Sequence, residues 1–216
     1  MQDLVMQEKF ELEVLDKLNS KRILERLVFS GGTMLRLCFG LNRFSVDLDF
    51  WVIKKIDYDT LFADIKKCLI DDYSIVDSAN KFYTLLFEIK AKRFPRSLKL
   101  EIRKETKKIA TEQAIAYSVY SNTQVFLNVV TLKDMMSAKV EAFLARKEIR
   151  DVFDMEFLIK KGIVIDLPNE TRLKLIRGIN SLTKNDYTVK LGSLLLSQER
   201  KYYAGQNFKL LLGKLE

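Results

Sequence analysis

The sequence predicts an α+β chain: a mixed α/β half over residues 1–130, with a mixed sheet and flanking helices, followed by a C-terminal helical bundle over residues 131–216. Three observations predict it. Short apolar runs of strand length alternate with helical patterns in the first half. After Thr131 the periodicity turns helical and stays so. Between the first two strands, Ser30-Gly31-Gly32-Thr33 precedes Arg43-Phe44-Ser45-Val46-Asp47-Leu48-Asp49-Phe50, a glycine turn followed by an acidic strand.

Taken in order, Leu4–Leu18 carries apolar residues at Leu4, Val5, Leu12, Leu15 and Leu18 and reads as an amphipathic helix. Leu27-Val28-Phe29 is a short buried strand ending at the glycine pair. Thr33 to Phe39 reads as a short helix closed by Gly40. Val46–Ile53 is the strand with the two aspartates, and Asp59 or Thr60 is expected to cap a helix through Ile70. Phe82–Ile89 and Leu98–Ile102 read as a hairpin turned near Phe94-Pro95-Arg96, and Val125–Val130 as a further strand. Thr131–Arg146 and Asp151–Ile159 are helical, the latter ended by Gly162. Arg172–Ile179, Asp186–Leu196 and Phe208–Leu215 complete the helical half. A cleft between the two halves is the natural place for a ligand.

Composition narrows the chemistry. About half of the 216 residues are apolar, ample for a core, and two prolines and eight glycines leave little room for disordered linkers. No apolar run approaches a membrane span, and Met1-Gln2-Asp3-Leu4-Val5 lacks the basic start of a secretion signal, so a cytoplasmic protein without membrane association is expected. Cys38 and Cys68 are too few for a disulfide framework. With no histidine, Ser–His–Asp triads, Cys–His pairs and the usual zinc sites are excluded. The net charge of +8 suits a polyanionic partner such as RNA or a nucleotide, or equally a lysine-rich soluble surface.

A strand alternates its side chains, so Asp47 and Asp49 share a face while Val46, Leu48 and Phe50 take the other. Carboxylates at that spacing suit a pair of Mg²⁺ ions, whereas two buried like charges without a cation repel. A solvated edge-strand face is the alternative, weakened by the apolar run Phe50-Trp51-Val52-Ile53. Gly31 and Gly32, between strand and helix, allow close approach of a phosphate to the free amides of a helix start, with Ser30 and Thr33 as hydroxyl donors, or else mark a tight turn. Arg43 either pairs with the acids, binds phosphate or shapes the turn. Ser45 shares the acidic face and is a candidate for nucleotide binding. Glu101, in the alternating Leu98–Arg103 run, completes a three-carboxylate centre if its strand lies beside theirs, or salt-bridges Lys99 or Arg103. Lys139 and Arg146 share a helix face, and Arg150 is spaced to pair with Asp154. Lys139 is a candidate triphosphate clamp with Asp151 orienting it, against the plainer reading of a charged helix surface.

The two stretches Gly31–Arg36 and Arg43–Phe50 resemble the signature of the abortive-infection nucleotidyltransferase toxins of AbiEii/AbiGii type, in the DNA polymerase β-like superfamily. A second signature of that family, a lysine, an arginine and a basic-Asp-x-x-Asp run, resembles Lys139, Arg146 and Arg150-Asp151-Val152-Phe153-Asp154, with one residue fewer between Arg146 and Arg150. The resemblance spans residues 30 to about 160. It implies a nucleotidyltransferase-type sheet and Mg²⁺-dependent transfer of a nucleoside monophosphate from an NTP, with two ions held by Asp47, Asp49 and, less securely, Glu101. It further implies a toxin of a toxin–antitoxin pair active in phage defence, a separately encoded antitoxin as partner, and in some relatives the tRNA acceptor end as substrate. A nucleotidyltransferase modifying a protein hydroxyl and a non-catalytic NTP-binding protein are the rival expectations.

Overall fold

The computed structural model describes residues 2–52, 54–106 and 108–216, without the side chain of Gln206. The chain divides into two compact units, Met1–Gly40 with Phe44–Thr131, and Leu41–Arg43 with Leu132–Glu216.

The first unit is built on a seven-stranded mixed sheet. Its strands are β1 (Val28–Ser30), β2 (Asp47–Val52), β3 (Ser74–Asn80), β4 (Thr84–Lys90), β5 (Leu98–Thr106), β6 (Thr111–Ser118) and β7 (Ser121–Val130), in the spatial order β3-β4-β5-β2-β1-β7-β6. β2 runs parallel to β5 and antiparallel to β1, and β1 runs parallel to β7. The acidic strand therefore lies in the middle of the sheet, not at an edge. Its apolar residues Leu48 and Phe50 are buried together with Leu100, Ile102, Leu85 and Phe87 of the neighbouring strands. Phe62 of α3 (Tyr58–Ile70) stacks on Phe87 at 4.8 Å, and each such ring taken from water contributes about 1.5–3 kcal/mol.

Helix α1 (Gln2–Ser20) buries Leu4, Leu15 and Leu18, as its periodicity predicts, and stacks Phe10 on Phe94 at 4.3 Å. Helix α2 (Gly31–Phe39) begins two residues earlier than expected and ends on Gly40, whose φ of 79° is the left-handed cap its sequence announces. The cap of α3 is Asp57, not Asp59 or Thr60: its carboxylate accepts the Asp59 N–H and the Thr60 hydroxyl. The hairpin around Phe94-Pro95-Arg96 forms as β4–β5, but Phe82 and Tyr83 lie in the turn before β4 and are exposed. Strands β3 and β6 were not expected. Both are edge strands with mostly exposed side chains and carry no apolar run. Ile53, the expected end of the acidic strand, lies outside the described residues, as does Met1.

The second unit is helical: α4 (Leu132–Arg146), α5 (Ile149–Lys160), α6 (Asn169–Asn180), α7 (Ser197–Gln206) and α8 (Lys209–Leu215). Instead of a helix over Asp186–Leu196 there is a π-helical turn, Asp186–Leu191, followed by a 3-10 turn, Gly192–Leu194. Its core joins Phe143, Phe153, Tyr203 and Phe208, with the Phe153 and Tyr203 rings 4.8 Å apart. Arg43, from the segment Leu41–Arg43, forms an antiparallel bridge with Leu195 of this unit.

Candidate active site

The sheet register assembles the acidic site of the first unit. Asp47 and Asp49 lie two residues apart on β2, both half-buried. Parallel pairing sets Asp49 beside Glu101 and Asp47 beside Lys99, and in-register neighbours share a face. On the other side of β2, Ser30 pairs with Asp49. The expectation that the strand of Glu101 lies next to that of the aspartates is thus met by the topology. Among the described residues, no group of three or more His, Cys, Asp or Glu side chains converges closely enough to hold a metal ion by itself.

Gly31 sits at the tip of β1 with φ 81°, a conformation that disfavours any side chain. A Cβ at this position would lie 2.4 Å from Asp49 Oδ2. The carboxylate of Asp49 therefore rests against bare backbone at the start of α2, where the first helical amides lack intrahelical acceptors. Two hydroxyls hold this junction together. Ser30 Oγ donates to the Asp49 carbonyl at 3.2 Å, and Thr33 Oγ1 donates to the Asp47 carbonyl at 2.5 Å. Both hydroxyls, expected as ligand donors, are spent on the β2 backbone and fix α2 to the acidic strand. Gly32 is buried in the first turn of α2, and Ser45 is half-buried just ahead of β2.

The donor set suits Mg²⁺. It is all oxygen, and this ion is usually bound by one or two carboxylates together with substrate phosphates rather than by an all-protein cage. The absence of a side chain at Gly31 lets the Asp49 carboxylate pack directly against the first turn of α2.

Sequence reasoning missed two buried acids on α1. Glu8 accepts from Arg36 Nε and from the Ser118 hydroxyl. Glu11 is fully buried, and neither of its oxygens has a hydrogen-bond partner among the described residues. Burial first, then the neighbouring Glu8, pushes its carboxyl well above the usual range, with Asp47 adding to the rise and Arg36 opposing it. The signal was present in the sequence: positions 4, 8, 11, 15 and 18 form one helical stripe, and the glutamates occupy two places among its leucines.

In the second unit the remaining sequence candidates form an ion-pair network. Asp151 and Asp154 both lie on α5, a helix buried on nearly every side. Arg43 grips Asp154 through two bonds of 2.7 Å. Arg146 grips Asp151 in the same forked manner at 2.8 and 2.7 Å. Lys139 bridges them, 3.3 Å from Asp151 Oδ1 and 2.6 Å from Asp154 Oδ2. Asp154 thus pairs with Arg43 and Lys139, not with the Arg150 that helical spacing offered. Burial alone pushes its carboxyl up, but Arg43 and then Lys139 outweigh that and hold it below the usual range. Lys139, Asp151 and Asp154 are buried, so the charged-surface alternative does not apply to them, whereas Arg146 is exposed.

The first unit is thus a mixed sheet whose central strand presents paired carboxylates beside a glycine turn. Two solved structures share the fold. A protein of H. pylori proposed to be a nucleotidyltransferase matches with a TM-score of 0.54 and 23% identity, over 95% of each chain. JHP933 from Helicobacter pylori matches with a TM-score of 0.54 and 22% identity, over 97% of this chain and 93% of its own. No curated protein matches the sequence. The family model "Nucleotidyl transferase AbiEii toxin, Type IV TA system" matches residues 14–200. The chain belongs to this family of nucleotidyltransferase toxins, for which an NTP substrate and an antitoxin partner are implied. Among the described residues, no helix is long and apolar enough to cross a membrane.

Proposed function

We propose that the chain transfers a nucleoside monophosphate from an NTP to the 3′ end of an RNA, a tRNA acceptor end being the leading candidate, and that it does so in the cytoplasm as the toxin of a phage-defence pair. The observation that carries the reading is the contact between Asp49 and the bare backbone of Gly31. It joins a metal-binding carboxylate to a phosphate-binding turn within one strand–helix junction. Asp47 and Asp49 are the residues that would hold Mg²⁺, with Glu101 beside them on β5. Two such ions, when bound, lower the pKa of the attacking hydroxyl and neutralise charge on the phosphates.

The protein's own part is binding and orientation. The amide N–H groups of Gly31 and Gly32 donate to phosphate oxygens, and the Ser30 and Thr33 hydroxyls keep α2 and β2 in register while they do so. Within the second unit, Lys139 is the candidate phosphate ligand, its ammonium oriented by Asp151 and Asp154. Arg146 serves by fixing Asp151, and Arg43 by fixing Asp154. The RNA acceptor rests on the net charge of +8, because phosphate backbones reward lysine and arginine.

The test is incubation of the purified chain with Mg²⁺, each labelled NTP, total RNA and cell protein. Label in RNA, lost in Asp49→Asn while the melting temperature stays close to that of the wild type, is the expected result. Label in protein alone refutes the RNA acceptor. NTP binding without label anywhere refutes transfer, and full activity of Asp49→Asn refutes the site.

A further inference from the structure

The acidic face of the sheet continues into a patch that the transfer site itself does not use. Glu101 and Arg103 are two residues apart on β5, so they share a face about 6.5–7 Å apart along the strand. Arg103 is exposed and stands beside Trp51 of β2 on one side and Thr84 of β4 on the other. Past this row the register of β2 and β5 slips: Trp51 pairs with Arg103 but Val52 with Thr106. Such bulges re-aim side chains and occur often next to active sites.

The β3–β4 turn stands at the same end of the sheet. Lys81 N–H donates to the Thr84 carbonyl at 2.9 Å, closing the turn, and Lys104 N–H donates to the Tyr83 carbonyl at 2.9 Å, tying it to β5. On this braced turn Phe82 and Tyr83 are 83% and 74% exposed, with ring centroids 4.6 Å apart and planes at 82°. Two adjacent exposed rings held on a braced turn offer ready π-faces to a stacking ligand. Lys81, next to them in the turn, and Arg103, opposite Thr84, are the exposed cations beside them, whereas Lys104 sets its ammonium over the Tyr58 ring on the other face. The acids nearby are exposed as well: Asp57, which caps α3, Asp59, which accepts from the Asn80 side chain at 2.6 Å, and Glu105. Aromatic faces flanked by cations are how proteins hold unpaired nucleotides, since every base has a π-face and every linkage a phosphate.

We infer that this turn and strand end form the acceptor platform: Phe82 and Tyr83 stack the unpaired bases next to the reacting 3′ end, while Lys81 and Arg103 hold their phosphates. The inference rests on the RNA-acceptor reading above and deepens it by naming single-stranded RNA as the ligand of this surface. A duplex is a poor fit, because its bases are already stacked on one another.

The full-length chain is titrated with a fluorescein-labelled single-stranded RNA oligonucleotide, read by anisotropy at several salt concentrations. The double variant Phe82→Ala/Tyr83→Ala is expected to bind about 10-fold or more weakly, since stacking contributes on the scale of a factor of ten per base. Arg103→Ala is expected to lower the slope of log K against log salt by ~0.7, the value for one phosphate contact on a single strand. Val119→Ala, an exposed apolar position on the β6–β7 turn, is expected to change nothing. Melting curves of each variant check the fold, which these exposed substitutions should leave intact. The platform is overturned if wild-type chain labels RNA in the transfer assay yet the aromatic double variant binds RNA as well as the wild type. It is equally overturned if Val119→Ala weakens binding as much, or if duplex RNA binds more tightly than single-stranded RNA. Failure of the wild-type chain to label RNA at all sinks the acceptor reading itself, a result distinct from any of these.

Discussion

Replacing Gly31 by alanine tests the site with an internal control. Gly31 and Gly40 have nearly the same backbone, φ 81° and 79°. An alanine at either position pays the same left-handed penalty, about 1–2 kcal/mol. For a chain of this size that lowers the melting temperature by roughly 2–8 °C. The two sites differ in what the new methyl meets. At Gly40 nothing lies within 4 Å, whereas at Gly31 the methyl would stand 2.4 Å from Asp49 Oδ2 and 3.1 Å from its Cγ. Ordinary contact requires the carboxylate to withdraw by ~1 Å, and displacement of that size at a reacting centre costs about 10²-fold in rate. The expected outcome is two variants of similar stability, with Gly31→Ala about a hundred times slower in NTP-dependent labelling and Gly40→Ala close to wild type. Thermal melts and initial rates measured side by side decide it. Equal rates in the two variants would refute the claim that Asp49 works against the bare Gly31 backbone.

Two further predictions concern buried charge. Asp154→Ala leaves Arg43 and Lys139 buried without their shared counter-charge and should cost about 3–5 kcal/mol in urea unfolding. The folded Asp154 pKa lies below its ordinary value of 3.8, so its stabilisation is present above that value and is lost as pH falls below it through the folded pKa. The acid limb of the stability profile should therefore be shallower in the variant, and an unchanged limb contradicts the assignment. Glu11 has the opposite sign: its folded pKa is raised above the ordinary 4.5, so the fold loses stability as pH rises above that value. Glu11→Gln cannot ionise, and its stability relative to wild type should grow between pH 4 and neutrality. A constant difference across that range would show that Glu11 does not ionise at a cost.

Features set by interactions between near neighbours are written in the sequence, and those set between distant segments are not. The acidic strand, the glycine turn, the left-handed caps at Gly40 and Gly162 and the α4 and α5 helices were legible because alternation, helical period and glycine's freedom operate within a few residues. Edge strands β3 and β6 were not, since a strand exposed on most of its length has no apolar run to betray it.

By itself, then, the sequence determined the residue types of the site and their spacing along β2: two acids on one face, behind a glycine pair. Only the tertiary structure decided their company. Strand order set Glu101 beside Asp49, and helix packing gave Asp154 to Arg43, 111 residues away, in preference to an arginine one turn along its own helix. The physical reason is burial. A carboxylate removed from water takes the partner that can be buried with it, and that partner is chosen by packing between distant segments, which local sequence does not encode.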